Sequence, residues 1–122
     1  MIADLNKDVR LALGKWIEGD YDIIDVMERL QKVHGHISPC GQFGVRRCAN
    51  WEAFIITPLA SGCALDIVLS YKLNLHEAQE LAQAISSITD WNALAPGDEK
   101  IAAVREQVVA TLLKMFPGRN AK

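Results

Sequence analysis

Glycine and proline show no excess in this chain, eight and four residues of 122. That composition excludes a collagen-like repeat and a Pro/Gly-rich disordered tract. Cysteine is rarer still and odd in number: Cys40, Cys48 and Cys63. Three thiols cannot build the framework of a disulfide-dense mini-protein, and they fit a reducing compartment. The opening MIADLNKDVRL shows no basic stretch followed by an apolar run and a small-residue cleavage site. No secretory leader is expected there, and the chain reads as cytoplasmic. No apolar run reaches the roughly 20 residues of a membrane span. The richest stretch, Phe54 to Leu69, is broken by Pro58, Ser61, Gly62 and Asp66. A positive surplus is lacking as well. The 13 Lys+Arg stand against 15 Asp+Glu for a net charge of −2, whereas phosphate binding asks for a basic patch.

Short catalytic signatures are equally absent. The chain has no G-x-S-x-G, no H-E-x-x-H and no C-x-x-C, and Gly41-Gln42-Phe43-Gly44 is not the G-x-G-x-x-G that cradles a nucleotide phosphate. No enzyme chemistry and no cofactor are expected on that ground.

What is present is an ordinary globular composition, 50% hydrophobic and 23% charged. The length suits one domain over residues 1–122. Such a chain buries about two thirds of its unfolded surface, enough for one core. Leu5, Val9, Leu13 and Trp16, with Ala12 and Ile17 alongside, recur at helical spacing and predict an amphipathic helix that ends at Gly19. Asp20 or Asp22 then caps a second helix, whose stripe is Ile23, Val26, Met27, Leu30 and Val33 and whose end is Gly35. Residues 35–50 lose all periodicity and read as a loop, with a short strand around Phe43–Cys48. Trp51 to Thr57 is aromatic and β-branched, as strands are. Beyond the Ser61-Gly62 turn, Leu65, Ile67, Leu69, Tyr71 and Leu73 alternate strictly with their neighbours, which predicts a second strand and a hairpin.

Asn74 with Glu77 three places on forms a variant capping box, opening a helix with the stripe Ala78, Leu81, Ala82, Ile85 and Ile88. Asp98 caps a last helix that Pro117-Gly118 stops. This helix carries two apolar stripes. Ile101, Val104, Val108, Leu112 and Met115 form one; Ala102, Val109, Leu113 and Phe116 form the other. A face so wide needs cover on two sides, so Val109, Leu113 and Phe116 are assigned to an interface with a second copy of the chain. The expected fold class is α+β: two N-terminal helices, an antiparallel sheet of two or three strands and two C-terminal helices.

The candidate chemistry lies between His34 and Cys48. His34, His36, Cys40 and Cys48 are four possible zinc ligands, but H-x-H-x3-C-x7-C is no common zinc signature, and no metal is assigned. Ser38-Pro39-Cys40-Gly41-Gln42 resembles the P-C-x-x-C half-site of the nucleobase deaminases over these few residues only. Phe43 stands where the second cysteine belongs and no H-x-E lies upstream, so that chemistry is excluded. Cys40 or Cys48 with His36 or His76 is the thiol alternative. Phe43, Arg46, Arg47 and Trp51 are the residue types of a protein hot spot or a base-stacking patch. Glu18, Asp20, Asp22, Asp25 and Glu28 make an acidic corner that would suit a basic partner.

The function expected is that of a small non-enzymatic binding or regulatory protein. It would work through protein–protein contact at Phe43, Arg46, Arg47 and Trp51 and as a homodimer. Two alternatives stand beside it: a metal- or thiol-dependent enzyme centred on Cys40, and a nucleic-acid-binding regulator. The latter would use the 35–50 loop with Lys114, Arg119 and Lys122, because no Lys or Arg lies between Asn74 and Asn92.

Overall fold

The computed structural model describes residues 16–24, 27, 29–39, 41–48, 53–94 and 99–118. Four strands pair antiparallel in sequence order: β1 (Ile17–Ile24), β2 (Leu30–Ile37), β3 (Phe43–Cys48) and β4 (Ala53–Pro58). A 3-10 helix (Asp66–Tyr71) follows, then α1 (Leu75–Ile85) and α2 (Ile101–Met115). The class is α+β, but the layout is not the expected one. Among the described residues no helix precedes the sheet.

The expected second helix is replaced by β1, a turn and β2. Its stripe drew Ile23 from one strand, Met27 from the turn, and Leu30 and Val33 from the other strand. Period-two patterns within each strand decide the outcome. In β1, Gly19, Tyr21 and Ile23 alternate with Glu18, Asp20 and Asp22. In β2, Val33, Gly35 and Ile37 alternate with Lys32, His34 and His36. Each strand thereby turns one apolar face inward. Most of the expected first helix, Leu5 to Leu13, lies outside the described residues. Its end does not: Ile17 begins β1, and Trp16 packs against the main core.

The short strand Phe43–Cys48 is present as β3, and the stretch ending in Thr57 contains β4. The second half of the expected hairpin is corrected. Residues 65–73 do run antiparallel beside β4, and two backbone bonds hold them there. Leu65 N–H donates to Ile56 O (2.8 Å), and Phe54 N–H donates to Leu73 O (3.0 Å). Between those bonds the chain arches into the 3-10 helix. The arch puts Val68 into the main core, with Ile56, and Leu69 into a second cluster with Ala53 and Ile55. Ile55 and Ile56 occupy opposite faces of β4, so the arch straddles the strand's edge and fills both sides. A flat strand would have left Val68 and Leu69 on opposite faces of its own ladder, without closing over the edge.

β1 returns against the loop that follows β4, where Ile24 N–H donates to Gly62 O at 2.9 Å. The sheet is therefore curled, and the face carrying Tyr21, Ile23, Ile55 and Thr57 is enclosed. Two glycines permit this. The Tyr21 ring lies across Gly35 and Gly44, and a Cβ at Gly44 would collide with its ring carbons.

The opposite face of β3 and β4 supports the helices. Phe43, Val45 and Ile56 meet Ala78, Leu81 and Ile85 of α1, and Val104, Val108 and Leu112 of α2. Trp91 seals the end. It is buried, its ring meets Phe43 edge-on with centroids 5.2 Å apart, and its indole N–H donates to Ile85 O at 2.9 Å. The capping box of α1 is complete: Glu77 N–H donates to Asn74 Oδ1 (2.8 Å) and Asn74 N–H to Glu77 Oε1 (3.0 Å). Asp98 lies outside the described residues. Among the described residues no helix is long and apolar enough to cross a membrane.

Candidate functional site

The second apolar stripe of α2 lines a groove of about 710 Å³, facing Ile67 and Tyr71 of the 3-10 helix. Ala102, Val109, Ala110 and Leu113 form its helix wall, and Arg105 and Glu106 lie side by side within it. Leu113 is 39% exposed, well above the core residues of the same helix. Phe116, the third member of the expected interface, packs partly buried against the main core instead. Ile101 and Arg105 also border a small cavity of about 50 Å³, where Pro58, Ser61, Cys63 and Trp91 meet. Groove and cavity therefore share one rim.

The expected patch at Phe43, Arg46, Arg47 and Trp51 is not brought together among the described residues. Phe43 is fully buried and serves the core. Arg46 and Arg47, consecutive in β3, point to opposite faces of the sheet, and only Arg47 is exposed. Trp51 lies outside the described residues. Arg46 turns toward Tyr21. The Tyr21 hydroxyl is buried with no hydrogen-bond partner, as is Arg46 Nε. Burial pushes the Tyr21 phenol up to about 12, against a smaller lowering effect of the Arg46 charge.

The four possible zinc ligands are not brought together among the described residues. Cys40 lies outside the described residues. His34 and His36 share the face of the sheet that carries Val45, whereas Cys48 occupies the other face. Among the described residues, no group of three or more His, Cys, Asp and Glu side chains is placed, as it stands, to hold a metal ion. Cys48 and Cys63 are free thiols. His76 is engaged on α1 by Glu80, 2.7 Å away.

What the two histidines do meet is the acidic run of β1. Register pairs Glu18 with His36, Asp20 with His34 and Asp22 with Lys32 across the β1–β2 ladder. The contacts are His34 Nδ1–Asp20 Oδ1 at 2.8 Å, His36 Nε2–Glu18 Oε1 at 3.5 Å, His34 Nε2–Glu18 Oε2 at 3.9 Å and Lys32 Nζ–Asp22 Oδ1 at 3.3 Å. The sequence showed the carboxylates and the imidazoles but not their pairing. Reading period two from Glu18 to Asp22 and from Lys32 to His36 would have found it.

Comparison with known proteins finds no family model, no curated protein and no solved structure that matches this chain.

Proposed function

We propose that this protein works by binding rather than catalysis, and that its first partner is a second copy of itself, seated on the groove between α2 and the 3-10 helix. The single observation that carries this reading is the exposed apolar wall of α2. Ala102, Val109 and Leu113 lie seven and four residues apart on one face of the helix, a spacing by which one helix packs along another, with the charged Glu106 between the first two. The groove's charges are one Arg and one Glu in adjacent positions, so it is complementary to a copy of itself under twofold rotation. Val109 and Leu113 would form that interface. A regulatory role in the cytoplasm fits a small dimeric binding protein with free thiols.

The test is the mass of tag-free protein in solution at micromolar concentration, by light scattering or sedimentation. A dimer is expected for the wild type. A folded monomer is expected for Leu113→Glu, whose carboxylate would be forced against the partner's apolar wall. A monomeric wild type, or a Leu113→Glu protein that still dimerises, overturns the proposal.

A further inference from the structure

We infer that the outer edge of β1 docks an extended segment of a partner protein with Lys or Arg at every second position, which adds to the sheet as a further strand. The inference stands apart from the dimer, because it rests on β1 and not on α2.

The sheet order makes β1 and β4 its edge strands. The edge of β4 is closed, since Leu65 N–H and Leu73 O already bond Ile56 and Phe54 along it. That of β1 is closed only at one end. Ile24 N–H donates to Gly62 O, so at this residue the backbone groups point away from β2. The β1–β2 register runs without a bulge from Ile17 to Ile24, and in an antiparallel pair every second residue points its backbone groups outward. Asp22, Asp20 and Glu18 therefore also turn N–H and C=O away from β2. Gly62 lies beside Asp22 O. Among the described residues, no backbone group bonds to Glu18 or Asp20 on that outer side. An open edge of this kind is a template for a strand from another chain.

The side chains choose the strand. Glu18, Asp20 and Asp22 share one face, and their side chains are 70%, 57% and 52% exposed. β2 answers these three carboxylates with one ammonium group, Lys32, and the imidazoles of His34 and His36, so the row can take up cations on its open side. Like charges directly opposite across two strands are destabilising, and opposite charges stabilise. A second β1, or any acidic strand, is therefore refused, and a strand with Lys or Arg opposite Glu18 and Asp20 is favoured. On its other face the edge offers Ile17, 44% exposed, and Gly19, which suits apolar residues at the intervening positions. Backbone pairing supplies the affinity, and the alternating side chains select the partner.

The probe is the amidated peptide KVKTKVK, with EVETEVE and a fully N-methylated KVKTKVK as controls. In tag-free protein saturated with KVKTKVK, the amide resonances of Glu18 and Asp20 should shift, and their protons should exchange with solvent more slowly. EVETEVE should not bind. The N-methylated peptide keeps every charge but has no backbone N–H to donate, and it should bind about tenfold more weakly or worse. Glu18→Gln/Asp20→Asn should weaken KVKTKVK binding by about two- to fivefold for each charge removed. No binding of KVKTKVK at millimolar concentration, amide protection confined to residues outside β1, or equal affinity for either control peptide overturns the proposal. The peptide measurements need only the wild-type protein, so they decide even if the variant fails to fold.

Discussion

Tyr21 occupies the tightest place in the enclosed face of the sheet. Its ring is accommodated only because Gly44 and Gly35 have no side chains. Gly44→Ala should therefore destabilise the fold by about 1–3 kcal/mol, the usual penalty for overpacking a filled site, read as a lower midpoint in urea. The Tyr21 hydroxyl is buried without a partner, and such a group costs about 1–3 kcal/mol in desolvation. Tyr21→Phe should accordingly be at least as stable as the wild type at neutral pH. The same burial gives a pH signature. The phenol has an ordinary value of 10 when unfolded and is raised to about 12 when folded, so the fold prefers the protonated form. Its contribution is fully present below pH 10 and is lost as pH rises from 10 toward 12. Denaturation curves across that window should show stability falling more steeply in the wild type than in Tyr21→Phe.

Among the elements, α1 is the one whose start is most local in origin. Asn74 and Glu77 satisfy each other's backbone amides with no help from the rest of the fold. Asn74→Ala should cost about 1 kcal/mol, and Asn74→Asp much less, since Asp caps equally well; thermal unfolding of the two variants would show the difference. That box is legible from four consecutive residues, which is why α1 appears where the sequence places it. Residues 65–73 are the opposite case. Leu65 and Leu73 are backbone-bonded beside β4 as a strand would be, yet the alternation between them does not correspond to a ladder. The segment borders an edge with open space on both faces, and the arch that sends Val68 one way and Leu69 the other fills both. Alternation in this stretch and alternation in β1 look alike on paper. Only the second has a neighbouring strand pairing along its whole length.

For the whole molecule, α2 divides its apolar residues between an inner and an outer surface. Leu112 is completely buried in the main core, while its neighbour Leu113 is 39% exposed in the groove. Leu112→Ala should cost about 2–5 kcal/mol, as cavity-forming core truncations do. Leu113→Ala should leave the monomer within about 0.5 kcal/mol of the wild type while weakening the proposed self-association. Chemical denaturation at two protein concentrations separates the two effects, because only a dimer's midpoint moves with concentration.

The chain's own order of residues determined the α+β class, β3, β4, the cap of α1 and the inner stripe of α2. Each of these depends on interactions within a few residues or on a repeat long enough to admit one period. The sequence contained the alternation of β1 and β2, but a competing helical spacing ran through the turn between them and drew Ile23, Leu30 and Val33 into one stripe. What broke the tie was pairing at a distance. Tyr21 needed Gly44, which lies 23 positions further along the chain, and Glu18, Asp20 and Asp22 found His36, His34 and Lys32 across the ladder. Such partners are set by register and curl, so only the tertiary structure could bring the two histidines to the carboxylates and leave Cys48 on the other side of the sheet.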